Sequence, residues 1–430
     1  MALYFGTDGI RGVANVQITP DLATRCGNAI SQMGGKKVLI GRDTRVSGNM
    51  LVCCVAGGLT SGGCDVIDVG VLPTPAVAYL TKKYGCDFGV VVSASHNPPE
   101  YNGIKIFDQD GFKLCDKKEQ KVEEFMASMH LVENSKMGRY IHKDGMADYI
   151  SFLCDCTNAR LCGLKVAIDS SNGATGKSAK AVFEKLGART FAFFNKDSGV
   201  DINCGCGATN PQQLSQKVVS LGCNVGFCFD GDGDRVIAVD EKGCVADGDK
   251  LLYILAKSRL EGGCDQKVVV GTHHTNLGIE HALNRLGISL IRSDVGDKYV
   301  GSIMKAKNLS LGGEQSGHIV LGDFLPTGDG TLVALQIAKL VQKTPLSTLA
   351  RVDTFCQANL DVVVKDKMQV INNQVLWQAI KDEQQTFDGR IFVRASGTEP
   401  KVRVLAECKN KSMAKKVANR IAGVIKSIEG

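Results

Sequence analysis

The feature that most constrains the fold is a pattern that occurs three times. A lysine-led apolar run ends in a polar loop at residues 37–42 (KVLIGR), 165–169 (KVAID) and 267–271 (KVVVG). Each is followed by a helical-looking stretch and a second apolar run, at 66–70, 190–194 and 289–292. A third run then enters a loop rich in functional groups, from Phe88 to His96, Val225 to Arg235 and Leu309 to His318. Strands of 4–8 residues alternating with helices belong to α/β sheets, whose ligands sit beyond the carboxyl ends of the strands. The architecture repeats more than the letters do, so three similar α/β domains each offer one loop to a shared cleft.

The last segment breaks the pattern. Residues 391–394 and 402–406 read as two strands around a Ser-Gly-Thr turn, and Met413, Ala414, Val417, Ala418, Ile421, Val424, Ile425 and Ile428 recur at helical spacing. The expected fold class is α/β, with four domains around a central cleft: three similar mixed α/β domains and a smaller C-terminal α+β domain. The boundaries fall at 1–155, 156–250, 251–364 and 365–430.

Composition narrows the function. A net charge of +6 spread over 430 residues, with few aromatics, disfavours nucleic acid and suits small anionic substrates. Seventeen cysteines without a CxxC spacing argue against zinc or thioredoxin-type motifs and read as small core residues of a reducing cytoplasm. The opening residues lack the pattern of a signal peptide, and no apolar run is long enough for a membrane span.

Chemistry concentrates in four loops. Ser95 and His96 stand where the run Val90–Val92 ends, which makes Ser95 a candidate nucleophile or phosphate carrier against the plainer reading of a strand-capping turn. Asp230, Asp232 and Asp234 alternate with glycines, so three carboxylates can converge on one hard cation. An EF-hand is disfavoured because Arg235 occupies the position that needs glycine and an apolar strand precedes the loop. Residues 171–178 imitate a P-loop, but the first glycine is Ser171. Around Arg394, the backbone of Ser396, Gly397 and Thr398 with the Arg403 side chain forms a ready phosphate cradle, although a plain hairpin turn would read the same way. Glu314 and Ser316 can meet sugar hydroxyls, and His318 a phosphate. Arg11 and Arg42 either bring positive charge to the cleft or anchor their loops through Asp8 and Asp43.

Taken together, GTDGIRG at 6–12, SASHNPPEYNGIK at 93–105, DGDGDR at 230–235, GEQSGH at 313–318 and RASGTEPKVRV at 394–404 resemble the α-D-phosphohexomutase superfamily, in its order and along nearly the whole chain. Residues 70–81 and the TGDG at 327–330 are most similar to its bacterial phosphoglucosamine mutase branch. The resemblance implies a phosphoserine at Ser95 and one Mg²⁺ per chain on Asp230, Asp232, Asp234 and a phosphoserine oxygen. It implies exchange between glucosamine 6-phosphate and glucosamine 1-phosphate through glucosamine 1,6-bisphosphate. Lys105, His96 and Arg235 become candidates for moving a proton or stabilising charge, and the sequence does not rank them. The implied partner is a small phosphosugar, with no nucleic acid or membrane and a homodimer as the family's expectation. The rivals are a phosphomannomutase/phosphoglucomutase, a Mg²⁺-dependent phosphatase and a non-catalytic phosphosugar-binding protein.

Overall fold

The computed structural model describes residues 4–6, 8–128, 136–396 and 399–429 of the chain. They form two compact units. The larger holds the chain up to Thr272 together with Ser293–Arg351, and the smaller holds His273–Arg292 with the chain from Val352 onward.

In the larger unit, a seven-stranded sheet runs in the order Phe5–Gly6, Gly9–Val13, Tyr101–Asp108, Phe88–Val92, Lys37–Arg42, Asp65–Val71, Tyr140–His142. Its four strands from Phe88–Val92 to Tyr140–His142 are parallel, and Tyr101–Asp108 returns antiparallel on Phe88–Val92. Phe88–Val92 is buried along its whole length, which explains its unbroken apolar run. A five-stranded sheet follows in the order Val245–Ala246, Val236–Asp240, Val225–Phe229, Lys165–Asp169, Arg189–Phe193. Val268–Thr272, Leu311–Gly313 and Ile319–Leu321 repeat the same motif in a third sheet. In all three, a parallel interior strand turns straight back as an antiparallel neighbour, and the turn is one of the expected functional loops. The repeated mixed α/β sheets expected above are thus observed.

Helices fill the crossovers. Pro20–Gln32 begins where Thr19 accepts the Leu22 N–H and Pro20 supplies a preset φ, and it buries Ala23, Cys26, Ala29 and Ile30 on the first sheet's core. The aspartate loop lies inside a hairpin between Val225–Phe229 and Val236–Asp240, so it lacks the flanking helix of an EF-hand. The P-loop mimic is a turn with Ser171 and Asn172 at positive φ, ahead of the helix Thr175–Lys185.

The smaller unit is a three-stranded antiparallel sheet, Cys356–Val363, Lys401–Cys408, Gly389–Ala395, with the helices Gln374–Thr386 and Lys411–Glu429 packed on one face. The strand Cys356–Val363 corrects the sequence reading, which left it in the third domain. Only one of its faces is apolar, Cys356, Ala358, Leu360 and Val362 alternating with Gln357, Asn359 and Asp361, and its partner is some forty residues further on. A second correction concerns the cysteines. All seventeen are free, but Cys53, Cys115, Cys162, Cys204 and Cys244 are exposed rather than core residues, and nothing in the structure explains them.

Candidate active site

Ser95 is fully buried and held at φ 53°, a left-handed conformation that a non-glycine residue adopts only when its surroundings enforce it. They do so through Arg45, whose side chain is also fully buried. Its Nη2 donates to the carbonyls of Ser95 (3.0 Å) and Asn97 (2.7 Å), its Nη1 donates to those of Tyr101 (2.9 Å) and Pro98, and its Nε pairs with Asp43 at 2.9 Å. Asn203 reaches across from the second sheet's loops and donates to the same Ser95 and Asn97 carbonyls, each at 2.9 Å. Asp43 accepts the Ser93 hydroxyl at 2.6 Å, and Ser93 Oγ accepts the Ser95 N–H at 2.9 Å.

So fixed, the Ser95 hydroxyl donates to Asp230 Oδ2 at 2.6 Å and lies 3.2 Å from His96 Nδ1. Glycines make the approach possible: a Cβ on Gly231 would stand 2.6 Å from the Ser95 carbonyl oxygen. Lys105, on the returning strand, is buried and ion-paired to Asp232 (2.8 Å), Asp234 (3.0 Å) and Asp8 (3.2 Å). Thr74 also donates to Asp232, at 2.6 Å. Lys113 pairs with both Asp8 and Asp297, and His318 lies 3.7 Å from Asp234 and 3.8 Å from Asp297. Arg235 bridges to the His318 backbone, its Nε 3.8 Å from Asp234. Glu314 is buried beside it and accepts the Gly296 N–H at 3.1 Å.

Burial, with Asp234 and Asp232 beside it, pushes Asp230 well above the usual carboxylate range. Burial would raise Asp234 too, but Lys105, His318 and Arg235 hold it well below. Lys105 loses some basicity to burial and regains more from its three carboxylates, so it is a locked cation. Burial, then Arg235 and Arg11, lowers His96 to about 4, which leaves a neutral imidazole at Ser95.

The ligand oxygens of Asp230, Asp232 and Asp234 lie within 4.8 Å of one another. Asp232 Oδ1 and Asp234 Oδ1 are buried and accept no hydrogen bond. Orphaned carboxylate oxygens in an all-oxygen set are what a hard divalent cation requires, so these residues fit Mg²⁺.

Of the remaining expected residues, Arg11 joins the cluster through Asp8 and Asn97 (3.1 Å), whereas Arg42 turns to the Asp43 carbonyl at 3.1 Å and anchors its own loop. Ser316 is exposed. In the smaller unit, Arg394 stands directly opposite Arg403 in the antiparallel ladder. Arg403 is also paired with Glu399 at 3.0 Å and lies 3.7 Å from Asp361, which screens the repulsion between the two like charges. Ser396 is buried, and Lys367 clamps its carbonyl at 2.6 Å, while Gly397 and Thr398 fall outside the described residues. Sequence reading missed Arg45, Lys113, Asn203 and Asp297. Arg45 had a trace in the glycine-arginine loop at 41–48, and the others had none.

The family models for phosphoglucomutase/phosphomannomutase match four consecutive stretches: alpha/beta/alpha domain I at 2–132, domain II at 146–243, domain III at 247–355 and the C-terminal domain at 360–424. The chain belongs to this family. Among its relatives are proteins named phosphoglucosamine mutase from Pelotomaculum thermopropionicum and Bacillus licheniformis, each 43% identical and covering 100% of both chains. A phosphoglucomutase/phosphomannomutase family protein from Burkholderia thailandensis shares the fold at a TM-score of 0.84 and 23% identity, over 98% of this chain and 97% of that one. The Aspergillus fumigatus N-acetylphosphoglucosamine mutase, solved with GlcNAc-6P and magnesium, does so at 0.71 and 18%, over 100% and 96%. Among the described residues, no helix is long and apolar enough to cross a membrane.

Proposed function

We propose that this family member is a phosphoglucosamine mutase, interconverting glucosamine 6-phosphate and glucosamine 1-phosphate through phospho-Ser95 and glucosamine 1,6-bisphosphate. The observation that carries the reading is the Ser95 hydroxyl, strained into place 2.6 Å from Asp230 beside two orphaned carboxylate oxygens. Relatives bearing that name, 43% identical along the whole chain, support the substrate. Asp230, Asp232 and Asp234 would hold one Mg²⁺, which supplies Lewis-acid stabilisation of the phosphoryl group in transfer.

The chain's own residues divide the remaining work. In the first transfer, the bond from Ser95 Oγ to phosphorus breaks, a bond from phosphorus to the sugar O1 forms, and the 1-hydroxyl proton leaves. The departing Ser95 Oγ takes up that proton, and His96, neutral and 3.2 Å from it, is the residue placed to relay it. Lys105 and Arg235 stay charged and stabilise the oxygens. The bisphosphate then presents its 6-phosphoryl group: Ser95 Oγ bonds to that phosphorus and gives up its proton through His96, the bond from phosphorus to O6 breaks, and the proton goes to O6. Arg394, Ser396, Gly397, Thr398 and Arg403 grip whichever phosphate is not reacting, and Glu314, Ser316 and His318 face the sugar.

Intact mass and peptide mapping test this, before and after glucosamine 6-phosphate with Mg²⁺ and catalytic bisphosphate. One phosphate on Ser95 and appearance of the 1-phosphate are expected, with Ser95→Ala losing turnover by at least about 10³-fold. Free phosphate released without any phospho-Ser95 would instead identify a phosphatase.

A further inference from the structure

The C-terminal sheet presents a polar face opposite its helices. Arg390, Phe392 and Arg394 alternate along one strand, register against Glu407, Leu405 and Arg403 on the next, and the last of these registers against Asp361 on the third. A cavity of about 150 Å³ opens on this face, lined by residues including Asp361, Phe392, Arg394, Arg403 and His274. At roughly 30 Å³ per water, it holds about five waters or one phosphate group. His274 is distant in sequence from the 394–403 loop, in the short segment His273–Arg292 that belongs to the same compact unit.

That segment is held to the sheet at several points. The His274 carbonyl accepts Gln357 Nε2 at 3.1 Å, the Thr275 carbonyl accepts Arg390 at 3.2 Å, and the Asn276 side chain exchanges two hydrogen bonds with the Phe355 backbone at 2.8 and 2.9 Å. The His273 ring stacks on Phe392 with centroids 4.4 Å apart. His274 is therefore a fixed wall of the cavity.

We propose that His274 is part of the phosphate grip and donates a ring N–H to the same dianion that Arg394 and Arg403 bind. The inference rests on the reading of Arg394 and Arg403 given under Proposed function and extends that site to a residue outside its loop. The charges around the imidazole show what the extra donor does. Arg394 and Arg390 lie on one strand and Arg403, Glu407 and Lys401 on the next, Asp361 lies on the third, Glu399 pairs with both Arg403 and Lys401, and His273 and Arg292 belong to its own segment. Burial first, then Arg394, Arg390, Arg403 and His273, lowers His274 to about 4, so the ring stays neutral among the arginines. A bound dianion reverses that balance, because an opposite charge in contact raises a neighbouring pKa by about 1 to 3. His274 is then partly protonated near pH 6 when phosphate is bound and neutral when phosphate leaves. A grip that must release each phosphate in turn gains attraction for the bound state without adding a permanent charge to the empty one.

Sulfate tests this on the full chain, because it stays a dianion across the pH range and any proton taken up belongs to the protein. Calorimetric titration at pH 6 in two buffers of different ionisation heat counts those protons. Wild type should take up about half a proton per sulfate, for a pKa raised by about 2. His274→Gln should take up none and bind several-fold more weakly, and Arg394→Ala should bind at least tenfold more weakly. Uptake and affinity unchanged in His274→Gln, with sulfate lost in Arg394→Ala, would overturn the role of His274 alone. Sulfate binding unchanged in Arg394→Ala would overturn the phosphate grip itself and this inference with it. If His274→Gln does not fold, the wild-type His274 ring resonance decides: a shift to the imidazolium position with sulfate supports the inference, and an unmoved resonance overturns it.

Discussion

Replacing Arg45 with methionine keeps most of the buried volume and removes the fork that holds the Ser95 loop. Its loss strands the Asp43 carboxylate, which is fully buried, and leaves the carbonyls of Ser95, Asn97, Pro98 and Tyr101 without that donor. Breaking a buried ion pair by removing one partner costs about 3–5 kcal/mol. Unfolding entropy of about 2.1 cal/mol/K per residue converts 4 kcal/mol into a melting shift of about 6 °C if the larger unit of about 330 residues melts as a whole. The same cost gives about 15 °C if a first domain of roughly 130 residues melts alone. Burial already raises Asp43 against the pull of Arg45, so without the arginine its folded pKa rises further above the unfolded value. A raised carboxylate makes the folded state bind more protons than the unfolded one, and stability falls as pH climbs through that range. The deficit of Arg45→Met should therefore grow from pH 5 to pH 8, and Asp43→Asn in the same chain should flatten it. Scanning calorimetry at the two pH values measures this. Phosphoryl transfer should drop about 100-fold, the cost of a nucleophile displaced by about 1 Å. Arg45→Met melting within a degree of wild type at pH 8, or a deficit independent of pH, would refute the reasoning.

Two further outcomes follow from the same geometry. Mg²⁺ at about 100 times its Kd should stabilise the protein by about 2.7 kcal/mol, an effect that chelation reverses and Asp232→Asn removes; a melting shift that survives Asp232→Asn would place the ion elsewhere. Burial raises Asp169 to about 7 although it accepts the Ser171 and Gly207 N–H groups at 2.9 and 2.8 Å. Its folded form thus holds a proton that the unfolded form loses near 4, and wild type should gain on Asp169→Asn as pH falls from 7 toward 4, by at most about 1.4 kcal/mol per pH unit. Denaturant titrations at pH 5 and 7 would show no such convergence if Asp169 were ionised throughout.

The strands Phe88–Val92 and Val225–Phe229 were legible because both faces are buried, which leaves an uninterrupted apolar run that no exposed element carries. Ser95 and the three aspartates were legible because each closes such a run, and glycines between carboxylates announce a loop that must approach another backbone. The sequence by itself therefore determined the three-fold α/β plan and singled out Ser95 and the three aspartates, which the fold brings together. Only the tertiary structure decided what holds them. Arg45 acts on carbonyls some fifty residues away, and Lys113 meets Asp297 across 184 positions. Buried charges choose their partners by proximity in the folded chain, and a lysine or arginine in the sequence carries no sign of which carboxylate it will meet. The same holds for Arg42, whose neighbours look as functional as those of Arg45, and for His274, whose place on the arginine face was set by how its segment packs against a sheet formed by the last eighty residues.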